Sequence, residues 1–145
     1  MFLLIKSYEL NWIVELTSIN VIQILGMLFL AVLFTQSGLD KVVDWNGNYS
    51  WLKEHFSKSI FKDIVKLLLV TITVLELIAG SLSLIGALMI IVNQSLQFAF
   101  LGVLFSSVSL LALFTGQRIA KDYAGAFSLV PYFILCLLLM YFISL

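Results

Sequence analysis

Cysteine, histidine and charged residues are all scarce in this chain of 145 residues. The one cysteine, Cys136, excludes a disulfide within the chain and a cysteine-rich metal site. The one histidine, His55, argues against a histidine-ligated metal site, so we expect no bound metal. Eight basic residues balance eight acidic ones, so no excess of positive charge indicates a nucleic-acid partner.

The low charge content is the strongest indication of class. Charged residues make up 11% of the chain and hydrophobic residues 62%, whereas a soluble domain carries about 25% charged residues. The charges also cluster, which leaves long runs without any. These features predict an all-α integral membrane protein, a four-helix bundle with short interfacial amphipathic helices.

Four stretches are long enough to cross a hydrocarbon core, which takes about 20 apolar residues in a helix. They cover residues 21–39, 67–92, 95–117 and 124–145. Residues 77–117 carry no charge, and as one helix they would reach roughly 60 Å, about twice the core thickness. The chain must therefore turn back within this run, and Asn93-Gln94 is the predicted hairpin. We expect a single membrane domain over residues 21–145.

The segment of residues 1–20 differs from the spans. Its apolar opening is too short for the hydrophobic region of a signal peptide, and no basic region precedes it. Apolar residues recur at helical spacing, at Ile5, Tyr8, Trp12, Leu16 and Ile19. This pattern predicts an amphipathic helix that lies in the membrane interface or extends the first span.

The longest predicted loop covers residues 40–66. Asn46-Gly47 predicts a turn, and Ser50 is a candidate N-cap for a second amphipathic helix. The apolar stripe of that helix would consist of Leu52, Phe56, Ile60 and Ile64. His55 has two interpretations, a titrating group at a pocket mouth or a polar residue at the headgroup level, and the second is favoured.

Lysine and arginine predict the orientation. The loop of residues 40–66 holds Lys41, Lys53, Lys58, Lys62 and Lys66, and the loop of residues 117–123 holds Arg118 and Lys121. Four spans bring these two loops to one side of the membrane, and the opposite side keeps only Lys6. The positive-inside rule then predicts that both loops are cytoplasmic, in the cell (inner, cytoplasmic) membrane.

Glu76 is the one charged residue within the predicted spans. It lies ten residues beyond Lys66, which in a helix is about 15 Å. A carboxyl group at that depth needs either a proton or a nearby cation. Lys41 and Arg118, at the ends of the first and third spans, are the candidate cations, because long side chains can reach inward.

Other polar residues fall at the same end of the predicted bundle. The whole candidate cluster consists of Gln36, Asp40, Lys41, Glu76, Gln117, Arg118 and Asp122. Small residues follow Glu76 at helical spacing, including Gly80 and Ser83, and Gly102 and Ser106 form a matching stripe in the third span. Because small residues let helices approach closely in lipid, Glu76 is expected to point into the bundle. The cluster either fastens the helices together or forms a cavity for a ligand head group. No nucleophile–base pair or phosphate-binding loop indicates a reaction.

Three short motifs resemble the DoxX-like family of small four-helix membrane proteins. The segment from Gly38 to Lys41 resembles that family's G-x-x-K element, and the segment from Glu76 to Gly80 resembles its E-x-x-x-G element. Residues 116–126 are similar to the link before the last span in one subgroup, and the four-span layout also agrees. The resemblance covers about residues 20–145 and makes Gly38, Lys41, Glu76 and Gly80 the family-matching positions.

The resemblance implies a role near membrane redox chemistry. The family is similar to the small membrane subunit of a thiosulfate:quinone oxidoreductase, and related proteins act as partners or assembly factors. We therefore expect a non-catalytic subunit or partner of a membrane redox system, which holds a quinone or lipid between its helices and docks a partner protein. One alternative is a catalytic quinone-linked subunit in which Glu76 or Asp40 relays protons. A further alternative is a small transporter that uses Glu76 as its coupling carboxylate, although no inverted repeat is visible.

Overall fold

A computed structural model describes residues 16–145, in which the chain forms five helices and no strand. The helices are α1 (Ser18–Val43), α2 (Trp45–His55), α3 (Val65–Asn93), α4 (Gln97–Ile119) and α5 (Tyr123–Ser144). All but α2 are long and apolar enough to cross a membrane, which confirms the predicted all-α four-helix bundle. Most of the predicted N-terminal amphipathic segment lies outside the described residues, and residues 18–20 of that segment begin α1.

The hairpin between α3 and α4 lies where the sequence predicts it. Gln94 follows the last residue of α3 and adopts the left-handed conformation, with a φ of 57°. Its N–H donates to the carbonyl of Ile90 at 3.1 Å, and the side chain of Asn93 accepts from the N–H of Ser95 at 3.1 Å. These bonds satisfy polar groups at the end of the helix and reverse the chain within four residues.

The helix between the first two spans differs from its prediction. It begins at Trp45 rather than Ser50, because the side chain of Asp44 caps it by accepting from the N–H of Gly47 at 3.1 Å. The predicted Asn46-Gly47 turn is thus the first turn of α2. The helix ends at His55, and turns follow over residues 56–64. The predicted stripe is wrong beyond Phe56, since Ile60 is 80% exposed.

The helix α3 packs along α1 on one side and along α4 on the other, and α5 packs along α4. Glycine allows both contacts of α3. A Cβ atom on Gly80 would lie 2.7 Å from the backbone nitrogen of Thr35 in α1, and one on Gly102 would lie 2.8 Å from the backbone nitrogen of Ser83. The small faces predicted from the sequence are therefore the surfaces on which these helices meet.

Candidate functional site

Glu76 forms an ion pair with Lys41 inside the bundle. Glu76 is 1% exposed, and the Lys41 ammonium lies 2.8 Å from its Oε2 and 3.2 Å from its Oε1. Lys41 lies in the last turn of α1, so its side chain reaches down to the carboxylate, as the sequence predicts for a residue at a helix end. Among residues 16–145 this is the one ion pair.

Ser37 forms hydrogen bonds with both members of this ion pair. The Lys41 ammonium donates to the Ser37 hydroxyl at 2.9 Å and to the Ser37 carbonyl at 3.1 Å. The hydroxyl in turn donates to Oε1 of Glu76 at 3.0 Å. An ammonium has three N–H donors, and these three acceptors (the carboxylate, the hydroxyl and the carbonyl) use them all. Glu76 and Ser37 therefore fix the position of the Lys41 ammonium.

Two buried glycines bring this ion pair together. Gly38 and Gly80 are both buried where α1 meets α3. A Cβ atom on Gly38 would lie 2.7 Å from the side chain of Leu77. The close approach of the two helices lets the short side chain of Ser37 reach Glu76.

The predicted partnership of Arg118 with Glu76 is wrong. The Arg118 guanidinium instead lies 4.7 Å from the centre of the Tyr123 ring, in a cation–π contact. The cause is the tight turn between α4 and α5, in which Lys121 adopts a φ of 62°. This turn places the ring of Tyr123 beside the guanidinium of Arg118, five residues earlier in the chain.

The remaining members of the predicted cluster are dispersed. Asp122 caps α5 by accepting from the N–H of Gly125 at 2.8 Å. Gln36 and Asp40 are exposed, and within the described chain their side chains make no hydrogen bond. Of the seven candidates, Lys41 and Glu76 meet each other, and Gln117 meets a residue that the cluster did not include.

That residue is His55. Its Nε2 lies 2.7 Å from Oε1 of Gln117, which joins α2 to α4 across 62 residues of sequence. Its ring stacks on Trp51, with 4.6 Å between the ring centres. His55 therefore lies in the wall of a pocket.

The pocket lies between α2, α3 and α4 at the loop end of the bundle and has a volume of about 280 Å³. The lining residues are Lys41, Asn48, Trp51, Leu52, His55, Phe56, Phe61, Leu68, Thr71, Ile72, Leu75, Ala112, Leu113, Gly116 and Gln117. Its volume is close to the lower end of the range for small-molecule sites, and a mainly apolar wall with a few polar groups is typical of them.

Most of the lining residues were missed by sequence reasoning, although their spacing contains a signal. On α2 they are Asn48, Trp51, Leu52 and His55, which lie on one helix face. On α3 they repeat the same spacing, at Leu68, Thr71, Ile72 and Leu75. Each stripe alone is indistinguishable from a packing face, and the two enclose a volume once the fold brings them together.

Among residues 16–145, no three side chains of the His, Cys, Asp and Glu types come together as a metal site. Searches against known protein families, curated proteins and solved structures found no match to this chain.

Proposed function

We propose that this membrane protein holds a small lipophilic molecule in the pocket between α2, α3 and α4, as a non-catalytic partner of a membrane redox system. The observation that supports this function best is the pocket itself, about 280 Å³ with a mainly apolar wall. A lipophilic ligand would reach such a site from the bilayer and would bury its apolar surface there.

The redox part of the proposal comes from the resemblance to the DoxX-like family. That resemblance makes a quinone the first ligand to test and a partner protein the expected site of any electron transfer. The proposed location is the inner membrane, with residues 40–66 and 117–123 on the cytoplasmic side.

The geometry of Glu76 favours binding over proton relay. Its carboxylate is held by Lys41 and by the hydroxyl of Ser37. Asp40, the other acid proposed for a relay, is exposed near the C-terminal end of α1. In the proposed function Glu76 fixes Lys41 in the pocket wall and joins α1 to α3.

Mass spectrometry of the protein purified with its native lipids tests the proposal. We expect a lipophilic molecule to remain with the protein at near one-to-one stoichiometry. The Gly116→Leu variant should no longer retain this molecule. A Cβ atom at position 116 meets nothing nearer than the Phe56 ring at 3.4 Å, so the leucine side chain can extend into the cavity and fill it.

The matched control is Ala124→Leu, which adds similar apolar bulk at an exposed position of α5 outside the pocket. This variant should retain the molecule. Equal retention by Gly116→Leu and Ala124→Leu would contradict the proposed site.

A further inference from the structure

A second cavity, the α4–α5 groove, lies between α4 and α5 and has a volume of about 220 Å³. Its lining residues are all apolar, and they are Leu110, Leu111, Phe114, Leu129, Val130 and Phe133. None of them lines the pocket between α2, α3 and α4. Five of the six are partly or fully exposed, so the groove opens on the outside of the bundle, where the surrounding medium of a membrane protein is lipid.

Arg118 lies beyond one end of this groove. It follows Leu111 by seven residues and Phe114 by four, which places the three side chains on one face of α4. On α5, Tyr123 precedes Val130 by seven residues and shares its face. The guanidinium of Arg118 lies 4.7 Å from the centre of the Tyr123 ring. This contact therefore joins the two walls of the groove at the loop end of the bundle.

The positive charge of Arg118 is not neutralised by the described part of the chain. The side chain is exposed, and among residues 16–145 no carboxylate lies within ion-pair distance of it. Asp122, the nearest acid in the chain, instead caps α5 at the N–H of Gly125. The Tyr123 ring attracts a cation but has no oxygen acceptor on its face, so the guanidinium N–H donors remain available to an anion. Lys121, exposed in the same turn, adds a second positive charge.

A cation at the end of an apolar groove is complementary to a molecule that joins an anionic head to a hydrocarbon chain. We propose that the α4–α5 groove binds one anionic phospholipid, whose phosphate lies beside Arg118 and whose acyl chain lies against Leu111, Phe114 and Val130. Arginine binds phosphate through paired N–H donors, and basic sites between membrane helices are typical of anionic lipid recognition. A soluble phosphate would use the cation alone and leave the apolar wall unused. This site is separate from the pocket of the proposed function and does not rest on it.

Fluorescence quenching in lipid nanodiscs tests the site. Trp12, Trp45 and Trp51 are replaced by Phe, and Phe133→Trp then places the one tryptophan in the groove by exchanging one aromatic ring for another. Phosphatidylglycerol or phosphatidylcholine with dibrominated acyl chains quenches this tryptophan when a chain occupies the groove. In mixtures of the two lipids we expect phosphatidylglycerol to be preferred about fivefold, the effect of one basic residue near a membrane surface.

A matched reporter separates a specific site from attraction by the whole surface. Phe127→Trp, in the same background, lies on α5 at a position that is 75% exposed and outside the groove. It should show little preference between the two lipids. Equal preference at the two reporters would overturn the inference.

Arg118→Gln should abolish the preference at Phe133→Trp and leave quenching by phosphatidylcholine unchanged, which also shows that the groove is intact. Its control is Lys62→Gln, which removes an exposed positive charge from the loop that precedes α3, at the same end of the bundle. This variant should keep the preference. A preference that persists in Arg118→Gln, or that Lys62→Gln reduces as much, would contradict the proposed site.

Native mass spectrometry of the unsubstituted protein makes the same comparison without a reporter. From an equal mixture, phosphatidylglycerol should remain bound about fivefold more often than phosphatidylcholine. Equal retention of the two lipids would overturn the inference.

Discussion

The ammonium of Lys41 lies 2.8 Å from the carboxylate of Glu76, which joins the last turn of α1 to the buried face of α3. Removing one member of such a pair leaves a buried charge without compensation, whereas replacing both members with apolar residues costs little. A single replacement in this pair should therefore destabilise the protein more than a double replacement.

Lys41→Met should lower the free energy of unfolding by roughly 3 kcal/mol, because Glu76 is left without a cation. The double variant Lys41→Met, Glu76→Met should recover most of that loss. Reversible unfolding in mixed micelles measures both. A double variant less stable than Lys41→Met would show that the ion pair itself stabilises the bundle.

Arg118→Met is the matched control for Lys41→Met. It removes one positive charge at the same end of the bundle, but its guanidinium contacts the Tyr123 ring and not Glu76. The expected loss is about 0.5–1 kcal/mol, the value of an exposed cation–π contact. A loss as large as that of Lys41→Met would contradict the assignment of Lys41 as the partner of Glu76.

Two glycine positions should respond oppositely to alanine. Gly80→Ala places a Cβ atom against the backbone of Thr35 and should destabilise the bundle by about 1–3 kcal/mol through overpacking. Gly116→Ala meets only the Phe56 ring at an ordinary distance and should gain up to about 1 kcal/mol of helix propensity. Unfolding midpoints of the two variants provide the comparison. Equal effects would mean that α1 and α3 are not in close contact at Gly80.

Cysteine labelling tests the orientation in the membrane. Cys136 is buried, so it should not react with a membrane-impermeant maleimide while the protein is folded. Cysteines introduced at Ser57 and Lys121 should be labelled from the cytoplasmic side, and one at Asn93 should be labelled from the other side. All three residues are exposed at helix ends or in loops. Labelling of Ser57→Cys and Asn93→Cys from the same side would overturn the four-span arrangement.

The four long helices and the hairpin between α3 and α4 were predictable from the sequence because they depend on local composition. The uncharged runs gave the four spans within a few residues, and the polar pair Asn93-Gln94 gave the hairpin. The sequence also restricted the partner of Glu76 to Lys41 or Arg118, since a buried carboxylate can pair only with the few cations at the same end of the bundle.

The partner of Glu76 and the N-cap of α2 were harder to predict. Arg118 was an equal candidate for Glu76 until the left-handed turn at Lys121 placed the Tyr123 ring beside it. The N-cap of α2 was misassigned because Asn46-Gly47 is typical of turns, and only the three-dimensional contact of Asp44 with Gly47 shows that a helix begins there. Both errors arise from local geometry that composition does not determine.

The pocket could not be predicted from one sequence, because its wall comes from three helices. His55 and Gln117 are 62 residues apart, and each has an ordinary interpretation alone. The apolar stripe of α2 that lines the pocket has the spacing of any packed helix. What distinguishes it is the pocket between α2, α3 and α4 at the loop end, which exists only once the fold brings the three helices together.

Photolabelling with an alkylphenol that carries an aryl diazirine tests the binding pocket most directly. After irradiation in nanodiscs, peptide mapping should place the label on pocket residues such as Trp51, Leu75 and Leu113, and an excess of 4-octylphenol should suppress it. Label spread evenly over exposed apolar positions such as Phe127 and Leu137, without competition, would show that the molecule only dissolves in the surrounding lipid and that the pocket is not a binding site.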